Sequence, residues 1–167
     1  KHEKNEDRFY CFFLIVLSTL LAMDFADGLI TMYIAFEMLT LASVPLVIHE
    51  MTKEAVAAAM KFLFYSIGGA FLALFGIFVL SGYTESFTFA AGGVLDMASA
   101  AGHEKLILIS VFLAVIGFGT KAGLYPLHAW LPTAHPVAPA PDSAVLSAII
   151  AKAGVLAIIR LIYYIVG

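Results

Sequence analysis

Four ionisable side chains stand inside apolar sequence: Glu37, Lys61, Lys121 and Lys152. Unpaired at membrane depth, each costs about 2.5–3.5 kcal/mol, and the four together on the order of 10 kcal/mol. A scaffold gains nothing that offsets such a cost, whereas a proton conductor does. Desolvation disfavours the charged form of a buried group and an opposite charge nearby favours it, so a moving or titrating acid switches a lysine between loaded and empty. His128, three residues beyond Tyr125, is a candidate relay, and His135 is a weaker one. As metal ligands the two histidines are poor, being seven residues apart with no third ligand close by. There is no nucleophile–base constellation, no CxxC pair and no glycine-rich phosphate loop after a strand, so neither a catalytic site nor a cofactor is expected in this chain.

The elements that must position these groups are membrane helices. Of 167 residues, 62% are hydrophobic and 13% charged, against about 45–50% and about 25% in soluble domains. The apolar runs are long and do not alternate, which predicts an all-α membrane protein rather than a barrel. About five transmembrane helices are expected, at residues 9–26, 29–48, 55–81, 106–127 and 143–166, forming one module over residues 1–167. The net charge of −3 and the scattered basic residues leave no patch for nucleic acid, and the single cysteine, Cys11, excludes an internal disulfide.

Glu37 lies near the middle of the second run, with Tyr33 and Thr40 on its face. Pro45 frees the Leu41 carbonyl one turn on. Glu37 reads either as part of a local kink or as a proton-carrying carboxylate, and the rarity of membrane acids favours the second. In the third run Lys61, Tyr65 and Gly68 or Gly69 share a stripe; Lys61 reads first as a snorkelling residue, and Lys61 and Tyr65 are secondary members of a polar path. Gly117, Gly119 and Gly123 weaken the fourth run around Lys121, which predicts an interrupted helix there. Five of the six prolines follow, between Pro126 and Pro141. Lys152 stands ten residues into the last run, about 15 Å from its opening. Its helical neighbours Ala148, Ile149, Val155 and Leu156 offer no partner, so one is expected from another helix or from water. Arg160 is expected to reach the interface. The linker 82–105, with Phe87, Phe89, Val94 and Leu95, is expected to lie against the membrane surface. Lys1, Lys4, Arg8 and Lys53 place the amino end in the cytoplasm.

The stretch GTKAGLYPLHAWLPTAHPVAPAPDSAVLSAIIAKAGVLAIIR closely resembles the signature of the antiporter-like membrane subunits of respiratory complex I (NADH-quinone oxidoreductase), a family that includes membrane-bound hydrogenases and multisubunit cation/proton antiporters. YIAFEMLTLAS is similar to the family's glutamate helix and MKFLFYSIGGA to its neighbour. The resemblance implies that Glu37 is the modulating acid, Lys121 its lysine partner on the broken helix, and Lys152 the central proton carrier, with Arg160 matching a common basic residue. It implies an ion pair between Glu37 and Lys121, and charge transfer to Lys152 by way of groups such as His128. Family members contain two inverted five-helix repeats. The chain resembles the first, so a longer subunit supplying the second repeat is expected, as its lysine start also suggests. Proton translocation within a redox-driven complex in a prokaryotic plasma membrane is implied, with partner membrane subunits carrying the redox chemistry. Exchange of sodium or potassium for protons, and a scaffold without conduction, are the alternatives.

Overall fold

The computed structural model describes residues 5–167; Lys1 and Lys4, which carry part of the orientation argument, lie outside them. The chain runs α1 (Glu6–Asp24), α2 (Leu29–Val47), α3 (Lys53–Leu80), a one-turn α4 (Met97–Ala100), α5 (Glu104–Ala122), a one-turn α6 (Leu131–Ala134), and a final rod. That rod comprises α7 (Ala140–Val145), a π-helical turn (Leu146–Ile150), α8 (Ala151–Leu161) and a second π-helical turn (Ile162–Val166). No strand occurs among the described residues, only two isolated β-bridges.

Four helical stretches, Leu29–Val47, Lys53–Leu80, Glu104–Ala122 and Ser143–Val166, are long and apolar enough to cross a membrane. The expected first span, α1, has 19 residues. Glu6, Asp7 and Arg8 at one end and Asp24 at the other shorten its apolar part. The fold is therefore all-helical and membrane-integral, with five long helical elements as expected.

Local chemistry sets the breaks. Thr52 caps α3, its Oγ1 accepting the Ala55 amide at 3.0 Å. Pro45 is absorbed inside α2. Of the three glycines expected to weaken the helix near Lys121, Gly117 and Gly119 stay helical and Gly123 ends it. Gly123 adopts φ +82°, and the Leu124 amide returns to the Gly119 carbonyl at 2.8 Å, a glycine-terminated cap. The interruption thus falls two residues after Lys121. Residues 125–130 continue as turns rather than as helix to residue 127, and α6 is the short second piece.

The α3–α5 pair is the bundle's tightest crossing. Gly69, Ala73 and Gly76 on α3 meet Ser110, Ala114 and Gly117 on α5, both triplets at i, i+4, i+7 and running antiparallel. A Cβ on Gly76 would lie 2.5 Å from the Ser110 carbonyl, and one on Gly69 2.7 Å from that of Gly117. Small residues let membrane helices approach backbone to backbone, where van der Waals packing replaces the missing hydrophobic drive. Gly69 is the notch anticipated in this helix; a Cβ on Gly68 would meet open space. The last rod joins α5 in the same way, with Gly154 against the Phe118 carbonyl and the Ala122 amide.

The linker between α3 and α5 packs against the ends of the helices. Phe87, Phe89, Val94 and Leu95 turn inward as partly buried residues packed on the core. The Leu29 amide donates to the Phe87 carbonyl and the Phe89 amide to the Asp27 carbonyl, both at 2.8 Å, and the Val94 amide donates to the Ile165 carbonyl at 2.9 Å. Backbone groups left unpaired at the α1–α2 turn and at the end of the last rod draw the linker onto themselves.

Candidate functional site

Lys121 is the centre of the buried polar chemistry. It is 1% exposed, although it lies in the last turn before the Gly123 stop. The close α3–α5 crossing and the Gly154 contact hold this part of α5 inside the bundle, and the side chain extends to α2. There its Nζ donates to the Phe36 carbonyl at 2.6 Å and to Thr40 Oγ1 at 2.5 Å. Thr40 Oγ1 in turn donates to the same Phe36 carbonyl at 3.3 Å, closing a triangle. The Phe36 ring lies 3.5 Å from Nζ, centroid to nitrogen, and is itself set edge-on to Phe118 at 5.1 Å. A desolvated ammonium gains about 2 kcal/mol or more from an aromatic face.

Glu37 is the next residue on α2, half-buried, with a buried Oε1 that has no hydrogen-bond partner among the described residues. The expected direct ion pair between Glu37 and Lys121 is replaced by the Phe36–Thr40 cradle. The reason is angular: adjacent helical residues point about 100° apart, and the lysine meets the turn of Phe36 and Thr40, which share a face. Tyr33, on the other side of Glu37, donates from its hydroxyl to the Ala70 carbonyl at 3.2 Å and ties α2 to α3.

Lys152 is exposed on the side of α8 toward α1, and its Nζ donates to the Ser147 carbonyl at 2.9 Å. Sequence spacing gave it no partner on its own helix. The π-helical turn at Leu146–Ile150 changes that, since a widened turn displaces carbonyls from the usual i→i−4 ladder and leaves one five residues back for the ammonium. Gly154, two residues on, faces α5, so Lys152 points away from the helix that carries Lys121.

The remaining candidates separate. His128 is half-buried beside Tyr125, ring centroids 5.5 Å apart, with Nδ1 buried and unpartnered among the described residues. His135 Nδ1 meets Ser143 Oγ at 2.8 Å and fastens the proline-rich link to the last rod. Lys61 and Tyr65 are half-buried one turn apart on α3. Trp130 anchors the link, its Nε1 donating to the Thr120 carbonyl at 2.9 Å and its ring packed 4.9 Å from Phe62. Arg160 reaches across to the end of α1. Its guanidinium donates to the carbonyls of Met23 at 2.8 Å, Asp24 at 2.6 Å and Ala26 at 3.3 Å, closing the end of α1. The described residues contain no cluster of three or more potential metal ligands.

Residues 26–166 match the family described as NADH:quinone oxidoreductase/Mrp antiporter, TM. Hydrogenase-4 component B of Escherichia coli is 32% identical over 149 residues, covering 89% of this chain and 21% of the relative. A Na(+)/H(+) antiporter subunit of Alkalihalophilus pseudofirmus is 31% identical over 163 residues, covering 96% of this chain and 20% of the relative. A chain in the solved structure of the membrane-bound sulfane sulfur reductase, an archaeal respiratory membrane complex, superposes with a TM-score of 0.78 at 26% identity, covering 90% of this chain and 30% of that one. The chain thus spans between a fifth and a third of the length of these proteins.

Proposed function

This chain belongs to the NADH:quinone oxidoreductase/Mrp antiporter transmembrane family, and from that premise we propose that it forms a proton-translocating module of an antiporter-like subunit in a redox-driven membrane complex. The observation that carries this reading is the Lys121 cradle: a wholly buried ammonium on α2 backbone and hydroxyl oxygens, with the Glu37 carboxylate on the neighbouring residue. Lys121 has two places to rest, the Phe36–Thr40 cradle and the Glu37 carboxylate. Movement between them alters how strongly the ammonium holds its proton. Lys152, exposed on α8, is the next carrier, and the hop between the lysines runs through water and His128. The second half of the path belongs to the other repeat of a longer subunit, and redox groups belong to partner subunits of a prokaryotic plasma-membrane complex. This chain itself holds no cofactor.

A second reading is exchange of sodium or potassium for protons, favoured by the similarity to a Na(+)/H(+) antiporter protein. Lysines lining the path repel alkali cations, which supports protons as the species carried by this part. The test is proton uptake into vesicles holding the whole complex, comparing wild type with Lys152→Met while the driving reaction is followed in parallel. Loss of pumping with assembly intact is the expected result. Unchanged pumping would make the module a scaffold.

A further inference from the structure

A second polar line, unused by the Glu37–Lys121 site, runs along the side of α8 that faces α1. Lys152 and Asp24 line one cleft between the two helices, with a volume of about 200 Å³. Leu156, one turn beyond Lys152, lines both this cleft and a larger hollow of about 490 Å³ that contains Asp27 and Arg160. Residues 152, 156 and 160 share one face of a helix. The two hollows therefore adjoin at Leu156, one on the side of Lys152 and the other toward the α1–α2 turn. At about 30 Å³ per water molecule in the liquid, the smaller cleft alone has space for several.

The charged groups along the two hollows have different duties. Arg160 is committed to three main-chain carbonyls, including that of Asp24, and an arginine does not release its proton. It fixes the end of α1, while Asp24 is exposed and lines the cleft. A carboxylate there can exchange a proton with an ammonium on the opposite wall, and Asp27 lines the larger hollow.

We propose that Asp24 is the proton-exchanging partner of Lys152 and that the two adjoining hollows are a hydrated branch of the proton path, opening at the α1–α2 turn. This rests on Lys152 being a proton carrier. The Lys152 ammonium gives its proton through water to the Asp24 carboxylate, leaving a neutral amine and a carboxylic acid. The acid then releases the proton to water beside Asp27 and returns to carboxylate. No electron moves.

The test uses the whole complex in proteoliposomes. Asp24→Asn keeps the main-chain carbonyl that Arg160 holds, so the end of α1 survives; proton transport is expected to fall about tenfold with the driving reaction intact, and Asp24→Glu to restore it. Independently, in a Cys11→Ser background, Leu156→Cys is expected to react with a charged thiosulfonate at least tenfold faster than Phe75→Cys on the outer face of α3. Transport unchanged in Asp24→Asn, or a Leu156→Cys no more reactive than Phe75→Cys, would overturn the branch. If Asp24→Asn fails to assemble, the labelling comparison decides. Lys152→Met separates the two levels. If it abolishes transport while Asp24→Asn does not, the branch alone falls; if it too leaves transport intact, the underlying carrier reading falls with it.

Discussion

The Lys121 ammonium rests 3.5 Å from the centre of the Phe36 ring and donates to the carbonyl of that same residue at 2.6 Å. One residue thus supplies both an aromatic face and a main-chain acceptor to a charge that water does not reach. Phe36→Leu removes the face and keeps the carbonyl. The expected outcome is a loss of about 2 kcal/mol in the stability of the folded protein, together with slower proton transport. Denaturant titration in detergent and vesicle pumping on the same preparation measure the two.

Thr40 is the other wall of the cradle. Thr40→Val keeps the shape and removes the acceptor at 2.5 Å from Lys121 Nζ. Leaving one donor of a buried ammonium without its acceptor costs about 1–3 kcal/mol, so pumping should fall while Thr40→Ser stays close to wild type. Equal loss in both variants would mean that the methyl group, not the hydroxyl, is what the site needs.

The α3–α5 crossing makes a sharp comparison between adjacent glycines. Gly69→Ala would place a methyl 2.7 Å from the Gly117 carbonyl, whereas Gly68→Ala meets nothing within 4 Å. Overpacking of this kind costs about 1–3 kcal/mol. The midpoint of thermal unfolding should drop for Gly69→Ala and hold or rise slightly for Gly68→Ala.

Outside the membrane, Asp96 caps α4. Its carboxylate is held below the usual carboxylate range first by the Ser99 hydroxyl and then by the Ala98 amide, with a smaller contribution from the Ser99 amide. A carboxyl lowered in the folded state contributes stability above its unfolded value of about 3.9, and that contribution is lost as pH falls through the folded value. Hydrogen-exchange protection of the Ala98 and Ser99 amides should therefore persist at neutral pH and fade at acid pH below that range. Asp96→Ala should show the unprotected pattern throughout.

His135 and Ser143 give a test of the proline-rich link. Their contact at 2.8 Å ties the link to the start of the last rod. His135→Ala is expected to raise proteolytic nicking between residues 124 and 140 without abolishing transport, since the contact it loses fastens the segment. Abolished transport with an intact link would make His135 a relay.

The sequence by itself determined that the chain is a helical membrane protein, because long apolar runs have one way to satisfy their backbone in lipid. It also singled out Glu37, Lys121 and Lys152, since ionisable groups stand out wherever their surroundings are apolar. The interruption near Lys121 was readable because glycine weakens a helix, although only Gly123, in its left-handed cap, ends it. Phe36 carried no such signal. An aromatic residue in a membrane helix is ordinary, and it became a ligand only when α5 laid Lys121 across its ring. The π-helical turn before Lys152, the inward fold of the linker and the cleft that Asp24 and Lys152 both line were also decided in three dimensions. Each joins residues far apart in the chain or departs from regular helical spacing. Periodicity reports which face a residue occupies, and only packing decides what that face meets.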